Sequence, residues 1–310
     1  SLKKQNINSV FLVNHEALAI CQQRRDWIGD IVTLSTNAVE SEDLSCIGNL
    51  IKQRSLSAIV LDGYTFSTTY RKQLQKLGCL VISFDDTNEF GQLYADIIVN
   101  GANAALTLGY ETTNPQATLC LGEEYRVMRD EFISNQKTPF RSRESLLVVL
   151  GGSDPLALTL PIIKELQHQG FQQAIDIVTG AANPKAKDIS NYLESSQLNA
   201  EHLHDCQNIA KVMARSRFAI SAAGGSQFEL QACGCPTLLL VVANKQCNAT
   251  RDAVQQGWCQ WLDCQEADSE SLKKALAQKI VKQTLAIWED PDLLTTMHHE
   301  ANQTKHTSGA

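Results

Sequence analysis

The chain has 310 residues, 43% of them hydrophobic, 20% charged and 6% aromatic, enough apolar material for about two domains with separate buried cores. Its 27 basic and 34 acidic residues leave a net charge of −7 with no basic block, which excludes nucleic acid as a main partner, since duplex binding rests on clustered Lys and Arg. No apolar run approaches the roughly 18 residues that span a bilayer, so no stable membrane insertion is expected, and Ser1-Leu2-Lys3-Lys4 lacks a signal peptide's apolar stretch.

Short apolar, β-rich runs alternate with helical patterns along the chain. The first half predicts strands at 9–13, 30–34, 58–61, 80–84, 96–99 and 118–121, with helical spacing at 43–54 and 67–77. Ser134 to Glu144 is polar, contains Pro139 and reads as the linker. The second half predicts strands at 146–150, 174–178, 218–221, 236–241 and 259–262. Helices are expected between them at 156–168, 184–194, 208–214, 226–233 and 246–256, with a last one at 269–287. Strands that are apolar throughout and separated by helices imply parallel sheets covered on both faces. The fold class is therefore α/β. Two doubly wound Rossmann-like domains are expected, at 1–138 and 146–310, joined at 139–145 and facing one another across a cleft.

The ten cysteines include no C-x-x-C pair, and several sit in apolar strand contexts such as Cys79-Leu80-Val81-Ile82. They read as reduced thiols of a cytoplasmic protein. The seven histidines show no metal-ligand spacing, so no metal and no cofactor are expected.

Four strand ends carry polar or glycine-rich turns. Phe218 to Ser221 is an apolar strand, Ala222-Ala223-Gly224-Gly225 a small-residue turn, and a helix opens near Ser226 and stops at Gly234. Small residues there let an oxyanion approach main-chain N–H groups at a helix start, which makes a diphosphate seat. Glu229, in the first helical turn, is placed to accept hydrogen bonds from a ribose diol, or else it is an exposed residue of an ordinary strand–helix turn. Gly151-Gly152-Ser153-Asp154 follows the run Leu146 to Leu150. Asp62-Gly63-Tyr64 and Ser83-Phe84-Asp85-Asp86 end two strands of the first half, and Asp62 either faces the cleft or caps the next turn. All four turns lie at carboxyl ends of parallel strands, where open α/β sheets hold ligands.

Together with Gly122-Glu123-Glu124-Tyr125, Arg129-Asp130-Glu131-Phe132 and Ala243-Asn244-Lys245-Gln246, these motifs fall in an order that resembles one family. It is the UDP-sugar hydrolase family of pseudaminic acid biosynthesis, together with related spore-coat polysaccharide proteins. The wider likeness is to two-domain glycosyltransferases of the GT-B type, including the lipid II N-acetylglucosaminyltransferase. The resemblance spans roughly Ile7 to Gln256. It implies that UDP and a UDP-sugar are the partners, with the diphosphate at Gly224, Gly225 and Ser226 and the ribose on Glu229. Uracil would lie near Ile209 with the strand end at Thr179 beside it. Asp62, Asp85, Asp86, Gly151, Gly152, Ser153, Asp154, Asn244 and Gln246 would face sugar or phosphates, and Tyr64 the reacting centre. The implied reaction is hydrolysis with inversion at the anomeric carbon of a diacetamido-trideoxy sugar. A GT-B transferase using a UDP-N-acetylated sugar and a non-catalytic UDP-sugar binding module are the alternatives.

The family carries its catalytic His in a Gly-x-Gly-His-x-x-Arg loop after an opening strand. That motif does not occur in this sequence, and an opening unit of roughly 25–30 residues is read as missing. His15 is the nearest candidate base, and its other reading is an ordinary surface histidine. The sequence-level expectation is a chain that binds UDP and turns over UDP-sugars poorly.

Overall fold

The computed structural model describes residues 6–14, 18, 21, 29–34, 40–133, 138–266 and 269–303, apart from the side chain of Lys245. The strands are β1 (Val10–Val13), β2 (Asp30–Thr33), β3 (Ala58–Asp62), β4 (Leu80–Phe84), β5 (Ile97–Asn100), β6 (Thr118–Leu121), β7 (Ser145–Val149), β8 (Ile175–Thr179), β9 (Ala200–His204), β10 (Ser216–Ala222), β11 (Thr237–Val241) and β12 (Cys259–Asp263). All strand pairs are parallel. The chain forms two compact units, Ser1–Val127 and Met128–His306.

In the second unit one sheet runs in the order β12-β11-β10-β7-β8-β9. Counted within the unit this is 6-5-4-1-2-3, the doubly wound nucleotide-binding order. The chain winds outward from β7 to β9, returns across the sheet to β10, and winds outward again to β12. The physical cause is two-sided burial. β7, β8 and β11 are buried at every position, so each needs a covering layer on both faces. Alternation sorts the side chains. Leu146 and Val148 pack with Ile162, Ile163 and Val281 on one face, and Leu147 and Val149 with Met213, Leu230 and Leu239 on the other. Each buried Leu, Ile or Val contributes about 1.5–3 kcal/mol relative to an exposed one.

Met128 and Phe132 join this second core, so the segment before the polar stretch packs with the second unit. Arg143, inside the stretch read as linker, is 1% exposed and donates to the carbonyls of Thr138, Ser216, Cys233 and Gly234. Its guanidinium satisfies main-chain acceptors at the base of the sheet, and burial lowers its pKa. The second unit also holds β9 and the helix Pro291–Ala301, which the sequence pattern does not predict.

The first unit holds two sheets, the pair β1-β2 and the four-stranded β3-β4-β5-β6. Helix Thr68–Gln75 starts on Ser67, whose hydroxyl accepts from the Tyr70 N–H at 3.1 Å, and it packs with helix Glu40–Arg54 through a Tyr70–Asp43 hydrogen bond of 2.8 Å. Among the described residues no helix is long and apolar enough to cross a membrane.

Candidate functional site

In the second unit the winding direction reverses between β7 and β10, and the loops that leave these two neighbours flank the crevice where such sheets take ligands. The β7 loop is Leu150-Gly151-Gly152-Ser153. The β10 loop is Ala223-Gly224-Gly225, followed by helix Ser226–Ala232. Among the described residues, the N–H groups of Gly151, Gly152, Ser153, Gly225 and Ser226 meet no protein acceptor. Gly152, Ser153 and Gly225 are exposed, and Gly151 and Ser226 are partly exposed.

The loop glycines differ in what holds them, since Gly151 has a φ of +74 that favours glycine. A Cβ on Gly152 or Gly225 would meet nothing within 4 Å, and neither has a positive φ. Gly225, with φ −53 and ψ −30, has a backbone any residue adopts. A glycine that neither its own conformation nor its neighbours require leaves the backbone open to something from outside. Gly180 is different, because its Cβ would lie 2.6 Å from the Gly152 carbonyl oxygen. That close approach lets the β8 loop press against the β7 loop and hold it.

Gln246 is braced beside the crevice. Its Oε1 accepts from the N–H of Val242 at 2.8 Å and of Ala243 at 3.2 Å. This fixes the amide flip, and Nε2 then stands 3.9 Å from the place of a Gly224 Cβ. Asn244 opens the same short turn and is exposed. Glu229, one turn into the helix, has a side chain only 21% exposed and receives Arg129 Nη2 at 3.1 Å. Arg129 also pairs with Glu131 at 2.7 Å and lies over the Phe132 ring. Burial raises the Glu229 pKa, and Arg129 works against that rise.

Other predicted site residues are committed to the protein. Asp154 is buried, and its carboxylate accepts from the N–H of Leu158 at 3.1 Å and of Thr159 at 2.9 Å, holding the start of helix Thr159–His168. Thr179 is 1% exposed, and its hydroxyl bonds His202 Nε2 at 2.8 Å and His204 Nδ1 at 3.1 Å. Ser190 Oγ holds the other nitrogen of His202 at 2.8 Å. Ile209 opens helix Ile209–Arg215, half-buried behind an exposed Asn208.

In the first unit, Asp62 ends β3 and Asp85 and Asp86 follow β4. Tyr64 donates to the Asp86 carboxylate. Asp85 is 5% exposed and accepts from the Asn88 N–H at 2.7 Å and from Tyr110 Oη at 2.5 Å, so it organises the turn after β4. Burial, then Asp86, raises the Asp62 pKa, and burial with the Asp86 hydrogen bond raises that of Tyr64. His15 lies outside the described residues.

Sequence reading missed three of these arrangements: the Arg129–Glu229 pair, the Gln246 brace and the Asp154 cap. The first joins residues 100 apart, which no local pattern encodes. The Asp154 cap reaches amides four and five positions ahead, beyond the two or three of an ordinary N-cap.

Residues 146–308, which hold both loops, Glu229 and Gln246, match the Glycosyltransferase family 28 C-terminal domain. The chain belongs to that family. This family 28 chain is similar to an uncharacterized protein of Methanocaldococcus jannaschii, 23% identical over 77% of the chain and 50% of the relative. It is 28% identical to the UDP-2,4-diacetamido-2,4,6-trideoxy-beta-L-altropyranose hydrolase of Campylobacter jejuni, over 60% of the chain and 66% of the relative. It is 22% identical to the spore coat polysaccharide biosynthesis protein SpsG of Bacillus subtilis, over 67% of the chain and 62% of the relative. The chain thus spans half to about two thirds of the length of these curated relatives. In fold it is similar to MurG of Acinetobacter baumannii, with a TM-score of 0.61 at 14% identity, over 98% of the chain and 89% of that structure. The fold is the GT-B type that the sequence motifs led one to expect.

Proposed function

We propose that this family 28 chain binds a UDP-sugar through its second unit and releases UDP by attack of water on the anomeric carbon, with inversion. The substrate class is a UDP-linked diacetamido-trideoxy sugar of pseudaminic acid biosynthesis. The observation that carries this reading is the set of open main-chain donors at the β7–β10 crevice, with a largely buried carboxylate at Glu229 beside it. Five N–H groups, the Gln246 amide and a helix start receive a diphosphate without any cationic side chain. Glu229 accepts from the ribose hydroxyls, and main-chain groups near Ile209 and Thr179 read the uracil.

In this reaction the water oxygen bonds to the anomeric carbon as the sugar–oxygen bond breaks, and the electron pair leaves on the β-phosphate oxygen. The amides of Gly225 and Ser226 stabilise that growing charge. Asp62, Asp85, Asp86 and Tyr64 of the first unit belong to the sugar side of this reading. Because burial and Asp86 keep Tyr64 protonated, it acts as a hydrogen-bond donor. The proton lost by water goes to a separate base, for which His15 is the candidate.

The family 28 match favours a second reading, transfer of the sugar to an acceptor. Incubation with UDP-linked N-acetylated sugars, with and without acceptor, separates the two. The hydrolase reading expects free sugar and UDP in equal amounts without acceptor. UDP release that appears only with acceptor supports transfer, and saturable UDP binding with no product under either condition leaves a binding module.

A further inference from the structure

The second unit has a cavity of about 700 Å³ that the nucleotide reading does not use. Helices Thr159–His168, Ala186–Ser195 and Glu270–Trp288 cover one face of the sheet, where Ile162, Ile189 and Ile280 join one core. Helix Ser226–Ala232, which carries Glu229, packs through Leu230 into the core of the opposite face. The cavity lies on the outward side of the three helices. Leu160, Pro161 and Lys164 line it at helical spacing from the first, and Lys273, Lys274 and Ala277 from the third. None of its described lining residues belongs to the β7 or β10 loop.

The carboxylates of this cavity are already engaged. Glu165 is 8% exposed and accepts from Gln169 Nε2 at 2.7 Å, Asp188 receives Lys185 at 3.1 Å, and Glu270 receives Lys273 at 3.0 Å. Lys164 stands over the Tyr192 ring, 5.5 Å from its centre. Among the described residues, neither Lys164 nor Lys274 is paired with a carboxylate. Lys273 differs from an ordinary surface lysine, because its side chain is 20% exposed against 88% for its partner Glu270. The aliphatic stem is packed away, which leaves little rotamer freedom to be lost on binding. A pair whose acid is so exposed contributes little, so an incoming anion can take the place of Glu270.

In a chain of net charge −7, unspent cations are thus gathered around an apolar floor. We propose that this cavity binds a small organic anion, with its phosphate or carboxylate on Lys164, Lys273 and Lys274 and its apolar body on Leu160, Pro161 and Ala277. The volume is that of small-molecule sites, whose usual lining is apolar with a few placed polar groups. A cation does not fit, because no carboxylate is left over for it. Inorganic phosphate leaves the apolar floor uncovered, and a neutral molecule leaves the lysines unspent.

An amide-resolved NMR titration of the full chain tests the site without reference to the nucleotide. Phenyl phosphate and phenylacetate are the probes, with inorganic phosphate and benzyl alcohol as charge-only and body-only controls. One or both anions should move the amides of Lys164, Lys273 and Ala277 saturably, with half-saturation at about millimolar concentration. The tighter anion names the preferred charged group, and each control should bind at least about tenfold more weakly. Gly225 is followed in the same spectra, so occupation of the β10 loop by phenyl phosphate is read separately. Lys164→Gln and Lys273→Gln, on two different helices, should each weaken binding about tenfold. Glu270→Gln, which removes the competing carboxylate, should tighten binding or leave it unchanged. Should one lysine variant not fold, the other carries the test. The proposal fails if neither anion moves the three amides, if a control binds as tightly, or if the lysine variants bind as the parent chain does. Weaker binding by Glu270→Gln would overturn it as well.

Discussion

Glu229 is the residue on which the nucleotide reading turns. Hydrogen bonds to a charged group contribute about 1.5–3 kcal/mol, so Glu229→Ala should weaken UDP binding by about tenfold to a hundredfold in calorimetry. The pH dependence has a definite sign. Burial raises the folded-state pKa above the ordinary value of 4.5, so this group's contribution to stability is present below that value and is lost as pH rises through the raised one. Ribose binding runs the other way and is gained as the carboxyl ionises. Arg129 lowers the Glu229 pKa, so Arg129→Ala should move the midpoint of uridine affinity to higher pH. Uridine is the suitable ligand because it has no phosphate to titrate, and an unmoved or lowered midpoint would remove Arg129 from the account. Asp154 is the contrasting case. With its carboxylate spent on two helix-start amides, Asp154→Ala should cost about 0.5–2 kcal/mol in denaturant unfolding and leave UDP affinity unchanged. Weaker UDP binding at unchanged stability would make it a ligand contact instead.

At the scale of elements, the glycines divide by what surrounds them. Gly225→Ala adds a methyl where the protein offers no neighbour, so stability should stay within about 0.5 kcal/mol while UDP affinity falls at least about tenfold. Gly180→Ala drives a Cβ against the Gly152 backbone and should destabilise the unit itself. Equal UDP affinity for Gly225→Ala and the parent chain would mean the β10 loop does not touch the ligand. The central strands were legible from the apolar runs Leu146 to Val149, Phe218 to Ile220 and Leu238 to Val241, which are buried on both faces. β9 was not, because Ala200-Glu201-His202-Leu203-His204 is an edge strand with no residue fully buried. The helix Pro291–Ala301 did have local signals, Asp290 with Pro291 at its start and Leu294, Met297 and Ala301 at helical spacing. The loops Gly151–Asp154 and Gly224–Ser226 were legible as glycine-rich turns at strand ends. Their surroundings were not, since these depend on partners such as Gln246 and Arg129 that only the fold brings near.

At the scale of the whole molecule, one chain carries two units, each with its own parallel sheets. The second unit has its central strand paired on both sides, and the crevice proposed to take the nucleotide is built from its own loops. The first unit holds the sheets β1-β2 and β3-β4-β5-β6, with a polar cluster at the ends of β3 and β4. Binding of the nucleotide is therefore expected to depend on the second unit alone, whereas turnover also draws on the first. The most direct measurement is an amide-resolved NMR titration of the labelled full chain with UDP. The account predicts saturable shifts at Gly151, Gly152, Ser153, Gly225 and Ser226, with Asp62, Asp85 and Asp86 unmoved. UDP that binds without moving those five amides, or that fails to bind at millimolar concentration, would contradict it.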